Sequence, residues 1–383
     1  MKRREILTAA MTTGGAIAGL TLGTGTATAA PAAGRPPAAP GLAKKDTLAF
    51  AAGSEIRIGT ALSGAWAPET SPYLQEGPYR DIAGGEFTSL TAENHMKWQP
   101  LRPDRDTFDF TEADSMMDFA AANGQVARGH TLLWHSQNPD WLEEGSFSAE
   151  ELRAILREHI ETVVGRYAGR IHQWDVANEI FHEDGALRAQ ENLWIRELGI
   201  GIVAEAFHWA RAADPQAQLF FNDYNVDGIN PKSDAYHALI QDLLADGVPV
   251  DGFSTQGHLS TRYGFPGDLA ENLQRFADLG LRTAITELDV RMDLPDGAAP
   301  TEEQLAQQAE YYRRATEAAL AVEGCESLTV WGFTDAYSWV PDTFPGEGAA
   351  TLLDEEYRRK PAYYAVRGGE RPRRPSRPDA LTH

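Results

Sequence analysis

Short apolar runs alternate along the chain with longer stretches in which apolar residues recur every three or four positions. A short apolar run between turn signals is typical of a buried strand, and the spacing of three or four is typical of an amphipathic helix. The pattern predicts eight strands, over residues 56–61, 86–90, 126–133, 171–176, 219–222, 252–256, 283–287 and 328–331.

The stretches between these predicted strands carry helix-start signals. Ser148 precedes Glu151 by three residues, which is the spacing of a capping box, and an apolar stripe follows over residues 152–164. Thr301 stands in the same relation to Gln304. Eight strand–helix units over about 320 residues predict a single (β/α)8 (TIM) barrel. Two doubly wound domains are the alternative, which is weakened because no glycine-rich dinucleotide motif and no P-loop is found.

Polar residues collect where the predicted strands end. The active sites of (β/α)8 barrels lie at the carboxyl ends of the strands. The opposite ends carry no comparable series, so we predict a site on one face of the barrel. The residues at the carboxyl ends are Glu93, Asn94, His130, Asn178, Glu179, Asn222, Asp223, Gln256, His258, Glu287 and Trp331.

Two of these residues, Glu179 and Glu287, each come at the end of an apolar run. An ionised carboxylate at the end of a buried strand is costly unless it is paired or used. At about 40 residues per strand–helix unit, they are roughly three units apart, on strands 4 and 7. Two carboxylates facing each other across the barrel mouth can cleave a glycosidic bond, one as proton donor and the other as nucleophile or base. For either glutamate taken alone, an ordinary salt bridge is the alternative.

Composition narrows the class of partner. The 383 residues carry a formal net charge of -22, which disfavours nucleic acid and anionic membranes and suits a neutral ligand, although a merely solubilising surface is equally compatible. The single cysteine, Cys325, cannot form an internal disulfide or a cysteine metal cage, and no zinc-type histidine spacing is found. We therefore expect no metal or other cofactor.

Residues 1–29 have the pattern of an export signal. Arg3 and Arg4 precede a weakly apolar stretch, and Ala27-Thr28-Ala29 forms a small-residue cleavage pattern. The paired arginines are similar to a twin-arginine signal, with a Sec signal or a lipid-anchored leader as alternatives. The residue directly after the cleavage site is Ala30 rather than a cysteine, which excludes lipid attachment there. We expect a secreted, extracellular protein.

The remaining boundaries follow from composition. Residues 30–44 are rich in Pro and Ala and predict a linker, residues 45–367 form the barrel, and residues 368–383 predict a disordered tail rich in Arg and Pro. No segment after the signal is long and apolar enough to span a bilayer, so no membrane partner is expected once the signal is removed.

Seven motifs in order carry a family resemblance. The chain resembles glycoside hydrolase family 10, the endo-β-1,4-xylanases, over about residues 45–366. The motifs are ENHMKW (93–98), GHTLLWHSQ (129–137), WDVANE (174–179), NDYN (222–225), QGH (256–258), TELD (286–289) and WGFTDAYSW (331–339).

The resemblance implies an endo-acting hydrolase that cleaves internal β-1,4-xylosidic bonds by a retaining double displacement. It makes Glu179 the acid/base and Glu287 the nucleophile. His258 would hydrogen-bond Glu287, Asp289 would orient that histidine, and Asn178 would contact the 2-hydroxyl of the sugar at the cleavage point.

The resemblance also implies a set of substrate-binding residues and a partner, xylan or a xylo-oligosaccharide, bound by a monomer. Trp331 and Trp339 would stack on or roof the sugar nearest the bond, and Val340 replaces an arginine of many relatives beside that roof. A β-glucan-cleaving barrel, a non-catalytic sugar-binding barrel and a metal-dependent hydrolase are the rival interpretations. The other expected substrate contacts are Glu93, Asn94, Lys97, His130, Trp134, Gln137, Asn222, Tyr224 and Gln256.

Overall fold

A computed structural model describes residues 44–53, 56–64 and 71–368, which contain ten β-strands and fourteen α-helices. The predicted signal, residues 30–43 of the predicted linker and residues 369–383 of the predicted tail lie outside the described residues. In the described part, no helix combines the length and the apolar character needed to cross a membrane.

The strands are β1 (Arg57–Leu62), β2 (Ser89–Ala92), β3 (Val126–Gly129), β4 (Ile171–Asn178), β5 (Gln218–Asp223), β6 (Gly252–Thr255), β7 (His258–Ser260), β8 (Arg282–Asp293), β9 (Cys325–Val330) and β10 (Glu347–Gly348). The helices are α1 (Leu48–Ala52), α2 (Pro72–Gln75), α3 (Gly77–Glu86), α4 (Trp98–Leu101), α5 (Thr111–Asn123), α6 (Asp140–Glu143), α7 (Ala149–Arg166), α8 (Leu193–Leu198), α9 (Gly201–Ala213), α10 (Pro231–Ala245), α11 (Leu269–Ala277), α12 (Glu302–Ala321), α13 (Val340–Thr343) and α14 (Pro361–Arg367).

Eight parallel strands close into a barrel. The order is β1-β2-β3-β4-β5-β6-β8-β9, and β9 pairs with both β8 and β1, which closes the ring. The main helices lie between successive barrel strands in the sequence. The predicted (β/α)8 barrel is therefore confirmed, and each of the eight predicted strands overlaps one barrel strand.

Several boundaries differ from the prediction. The strand predicted from residue 86 begins at Ser89, because Glu86 still belongs to α3. Strand β3 ends at Gly129, and the rest of its predicted length makes only an isolated bridge from Leu133 to Ala177. Strand β8 continues to Asp293, because the unpredicted β7 and β10 both pair with its extension.

The predicted capping boxes begin two long helices. At α7, the backbone N–H of Glu151 donates to the Ser148 hydroxyl, and the backbone N–H of Ser148 donates to the Glu151 carboxylate. Thr301 and Gln304 do the same at α12. These bonds satisfy backbone donors that the first helical turn leaves without partners. Both helices bury one face against the barrel. This packing holds in place the strands whose carboxyl ends carry the polar residues of the predicted site.

Candidate active site

A cleft of about 500 Å³ opens at the carboxyl ends of the barrel strands. Thirteen of the sixteen residues predicted for the site line it, together with three that were not predicted, Asn225, Arg291 and Phe344. The predicted residues in the lining are Glu93, Asn94, Lys97, His130, Trp134, Gln137, Glu179, Tyr224, Gln256, His258, Glu287, Trp331 and Trp339.

The other three predicted residues, Asn178, Asn222 and Asp289, are buried behind the lining. The Asn222 amide donates to Glu287 and Asn178, and its carbonyl oxygen accepts from two hydroxyl groups. Since its amide is occupied by protein partners, the geometry favours a positioning role for Asn222 over the expected sugar contact. Asn178 is completely buried and donates to Glu179 at 3.3 Å.

Glu287 is surrounded by donors and positive charge. Its Oε1 accepts from Asn222 at 2.9 Å and lies 3.5 Å from the Arg128 guanidinium, and its Oε2 lies 3.3 Å from His258 Nε2. Burial by itself would raise the pKa of Glu287, but His130, His258 and Arg128 together lower it well below the ordinary value. Glu287 is therefore ionised at neutral pH.

His258 bridges two carboxylates. Its Nδ1 lies 3.0 Å from Asp289, on the side of the ring opposite Glu287. Burial by itself would lower the pKa of His258, but Asp289 and Glu287 more than reverse this effect and raise the pKa to about 10. A charged histidine donates from both ring nitrogens, so it can hold both carboxylates at once.

Glu179 begins the loop that follows β4, with φ of +55°. This left-handed backbone is unusual for a residue other than glycine, and such strain concentrates at functional sites. Three side chains donate to its carboxylate: Trp134 and Gln256, each at 2.9 Å, and the Asn178 amide. The carboxylate is 12% exposed, which leaves it accessible from the cleft.

One wall of the cleft is a polar group that follows β2 and β3. The Asn94 carbonyl oxygen accepts from Lys97 at 3.0 Å and from Gln137 at 3.2 Å. Lys97 lies over the Trp134 ring, 5.0 Å from its centre. Burial raises the pKa of Glu93 to about 7, and Lys97 offsets only part of that effect. These closely spaced donors and acceptors suit the hydroxyl groups of a sugar.

Trp331 and Trp339 also line the cleft, and both contact histidines beside Glu287. The Trp339 indole donates to Asp289 at 2.8 Å, and its ring is 4.8 Å from the His258 ring. Trp331 packs edge-on against His130 at 5.5 Å. The tryptophans are thus fixed by the same residues that hold Glu287. Trp98 and Trp174, which were not assigned to the site, are in the core.

A buried ion pair that was not predicted from the sequence lies beneath the site. Arg128 on β3 contacts Asp175 on β4, and Asp175 also lies 2.8 Å from His130. Within the described part of the chain, His130, Asp175 and Glu287 are the one group of His, Cys, Asp or Glu side chains that could hold a metal ion. Arg128 contacts both carboxylates, so a guanidinium provides the positive charge there. The alternation of side chains on β3 and β4 indicates which residues share a face, but it does not give the register that brings Arg128 to Asp175.

A second missed network lies behind Tyr224. Lys232, on α10, is fully buried and lies 2.9 Å from Asp223 and 3.6 Å from the centre of the Tyr224 ring. Tyr236 also donates to Asp223 and accepts from the backbone N–H of Ile180, the residue after Glu179. Burial raises the pKa of Asp223 to about 7, although Lys232 acts against that rise.

The fold and the site define a glycoside hydrolase built on a (β/α)8 barrel. The model of glycosyl hydrolase family 10 matches residues 47–368. The chain belongs to this family, which the motifs had indicated.

Two curated relatives extend over most of the chain. An endo-1,4-beta-xylanase of Agaricus bisporus is 41% identical over 331 residues, which cover 86% of this chain and 95% of the relative. Endo-1,4-beta-xylanase B of Thermotoga neapolitana is 42% identical over 289 residues, which cover 76% of this chain and 82% of the relative.

Solved structures agree with the fold. Xylanase 10B of Thermotoga petrophila RKU-1, in complex with xylobiose, has a TM-score of 0.79 at 39% identity. The match covers 84% of this chain and 96% of the xylanase chain. Native xylanase 10B of Thermotoga maritima has a TM-score of 0.78 at 39% identity. This match covers 84% of this chain and 97% of the xylanase chain.

Proposed function

We propose that this protein is a secreted endo-1,4-β-xylanase that cleaves internal bonds of xylan with retention of anomeric configuration. The observation that carries the proposal is the pair of glutamates in one cleft, in different environments. Glu287 is held ionised by His258 and Arg128, and Glu179 is reached by three side-chain donors. The names of the relatives support xylan as the substrate.

The reaction proceeds in two displacements. Glu287 attacks the anomeric carbon, the bond to the leaving sugar oxygen breaks, and Glu179 gives that oxygen its proton. Glu179 then takes a proton from water, whose oxygen attacks the same carbon and releases Glu287. Two inversions restore the original configuration, and this route requires carboxyl groups about 5–5.5 Å apart.

The walls of the cleft account for sugar binding. The group containing Glu93, Asn94 and Lys97 would hold the hydroxyl groups of the sugar that becomes attached to Glu287. Trp331 and Trp339 would cover its ring. Xylose lacks the exocyclic CH2OH of glucose, so bulky indoles against that ring carbon would favour xylose by steric exclusion.

The substrate and the stereochemistry have separate tests. We expect reducing ends to be released from xylan much faster than from carboxymethyl cellulose, and NMR at early times to show the β-anomer first. Equal rates on both polymers would replace xylan with β-glucan as the substrate. An α-anomer at early times would contradict the double displacement.

The roles of the two glutamates are tested by substitution. Glu287→Ala should abolish turnover of every substrate. Glu179→Ala should still cleave aryl xylosides with good leaving groups, and azide should restore its rate, because only proton donation is lost. Glu310→Ala, on the exposed surface of α12, is the matched control. Equal loss on all substrates in the Glu179 variant would contradict its assignment as acid/base.

Export through a twin-arginine route is proposed from residues 1–29, supported by Arg3-Arg4 and the Ala27-Thr28-Ala29 pattern. Arg3→Lys together with Arg4→Lys should keep xylanase activity inside the producing cell, because the twin arginines are read as an address. A Sec signal tolerates lysine in its positive region, so undiminished activity in the medium would contradict this route.

A further inference from the structure

A small polar cavity lies in the barrel near the amino ends of its strands, at the end opposite the cleft. Its volume is about 10 Å³, and its lining comes from β1, β2, β3, β4 and β9, which are consecutive in the ring. Barrel interiors of this fold are dominated by bulky apolar side chains, so a polar lining departs from the ordinary pattern. The buried polar residues without a charge in the lining are Ser89, Gln173, Ser327 and Thr329.

Arg128 connects this cavity to the proposed nucleophile. Its Nη2 contacts Asp175 and lies 3.5 Å from Glu287, and its Nε donates to Asp175 at 3.2 Å. The third nitrogen, Nη1, is buried and has no hydrogen-bond partner among the described residues. The guanidinium therefore keeps unused N–H donors in the interior, and a buried donor without a partner costs free energy.

Gln173 carries a second donor of this kind. It is the register partner of Arg128 on the neighbouring strand, and both side chains line the cavity. Within the part of the chain that the structure describes, Nε2 of Gln173 is likewise buried without a hydrogen-bond partner. Two unused donors thus belong to neighbouring side chains that border one small space, so a single acceptor placed there can satisfy both.

The size and the charge of the cavity favour a water molecule as that acceptor. A volume of about 10 Å³ is close to the smallest that holds one water. Glu326 also lines the cavity, and it contacts Arg57 and His172, the other two groups in the lining that carry or can take up positive charge. Arg128 is itself shared by two carboxylates, so the surroundings disfavour an anion. The hydroxyl groups of the lining can accept the hydrogens of the water.

We propose that this cavity binds one ordered water molecule, which accepts hydrogen bonds from Nη1 of Arg128 and Nε2 of Gln173, and that Gln173 is thereby a positioning residue for Glu287. The catalytic part of this inference rests on the proposed function. The water holds the guanidinium from the side away from the carboxylates and keeps it beneath Glu287. Because Arg128 helps to lower the pKa of Glu287, a less firmly held guanidinium should let that pKa rise.

A crystal structure of the wild-type protein tests the water directly. We expect crystals grown without halide to show one peak of density within hydrogen-bond distance of both nitrogens. Crystals soaked in bromide should give no anomalous signal at this position, because the site takes a neutral molecule. The absence of a peak, a bromide signal in the cavity, or a direct contact between the Gln173 side chain and Nη1 of Arg128 would each overturn the inference.

The positioning role is tested with Gln173→Met, which keeps the length of the side chain but removes its donor. We expect the acid limb of the kcat/KM profile on an aryl xylobioside to move up by about half a pH unit, which is about a threefold loss in kcat/KM below the limb. The substitution leaves the other charged groups near Glu287 and Arg128 unchanged. These are Glu93, Lys97, His130, Asp175 and His258.

Thr283→Val is the matched control, because Thr283 is a fully buried polar residue of β8 that does not line the cavity. Its acid limb should coincide with that of the wild type. A Gln173→Met limb in the wild-type position would overturn the positioning role, and an equal shift in Thr283→Val would do the same by tracing the effect to a loosened barrel interior. A wild-type protein that does not cleave the xylobioside would overturn the proposed function and the positioning role, whereas the crystal structure would still decide whether the water is bound.

Discussion

Nδ1 of His258 lies 3.0 Å from Oδ2 of Asp289, and this contact keeps the histidine charged beside the proposed nucleophile. The pKa of His258 is raised to about 10 although the ring is buried, because carboxylates lie on both sides of it. The charge on His258 in turn helps to lower the pKa of Glu287. Asp289 therefore acts on the nucleophile through the histidine.

Replacement of Asp289 by Asn should weaken the ionisation of Glu287. Without the carboxylate, the pKa of His258 falls, its positive charge is lost at neutral pH, and the pKa of Glu287 rises. The acid limb of the kcat/KM profile should therefore move to higher pH. Once the pKa that sets this limb lies above 5, kcat/KM near pH 5 should fall about tenfold for each further unit by which that pKa rises. Initial rates on an aryl xylobioside across pH 3–8 would measure the position of the acid limb.

Asp293→Asn is the control for this variant, because Asp293 lies on the same strand and pairs with Arg262 at the surface. Its acid limb should coincide with that of the wild type. An unmoved limb in Asp289→Asn would mean that Asp289 orients the ring without setting its charge.

The charge on His258 also makes stability depend on pH. The pKa of His258 in the folded protein, about 10, lies above its ordinary value of 6.5, so the folded state holds the proton more tightly. This contribution is fully present below about pH 6.5 and is lost as the pH rises toward 10. We expect Tm to fall over that interval in the wild type, and to fall less in His258→Asn, when measured by calorimetry.

The exposed His208 provides the comparison, and His208→Asn should follow the wild-type dependence of Tm on pH. Parallel curves for the wild type and His258→Asn would show that another group controls the alkaline loss of stability.

Lys232 is predicted to be essential for stability because it neutralises a buried acid. It is fully buried beside Asp223, so Lys232→Met leaves that carboxylate without a counter-charge in the interior. Removal of one partner of a buried ion pair costs about 3–5 kcal/mol. Urea unfolding at pH 8 should show a loss of this size. The double variant Lys232→Met with Asp223→Asn should recover part of it, because the orphaned charge is gone.

An exposed ion pair provides the control for the loss of stability in the Lys232 variant. Arg157 and Glu161 lie one helical turn apart on the surface of α7, and Arg157→Met should change the free energy of unfolding by less than about 1 kcal/mol. If the Lys232 variant lost no more than this, the Asp223 carboxylate would have to be neutral in the folded wild type.

The sequence allowed the barrel and its functional face to be predicted because both depend on local patterns. Apolar runs mark the strands, and the motifs fall at the strand ends, so the cleft-lining residues from Glu93 to Trp339 could be named. Strands β7 and β10 were missed because they contain only three and two residues, too few for a periodic signal. Without those partners, nothing in the apolar pattern predicts that β8 continues to Asp293.

The interior contacts of the site could not be predicted in the same way. The Arg128–Asp175 pair depends on which side chains of neighbouring strands point into the barrel, and Lys232 reaches Asp223 from a helix. Both contacts are set by packing in three dimensions rather than by spacing along the chain. The sequence likewise named Asn222 as a sugar contact, whereas the fold gives its amide four protein partners.

The face of the barrel opposite the cleft has its own charge cluster, centred on Glu326 at the beginning of β9. The Glu326 carboxylate contacts residues at the amino ends of four other strands, and so links the strands at the closed end of the barrel. Its partners are Arg57 at 3.5 Å, His172 at 3.2 Å, Gln218 at 3.1 Å and Arg282 at 3.3 Å.

Glu326→Gln should therefore reduce stability without altering catalysis. The substitution keeps the shape of the side chain but removes the negative charge, so Arg57, His172 and Arg282 lose their shared partner. We expect a loss of about 1–3 kcal/mol in the free energy of unfolding. The kcat/KM on xylan should remain that of the wild type, because residues at this end of a (β/α)8 barrel contribute to stability rather than to the reaction. A changed kcat/KM with unchanged unfolding would reverse the assignment of the two faces, and Glu310→Gln, at an exposed helical site, should change neither quantity.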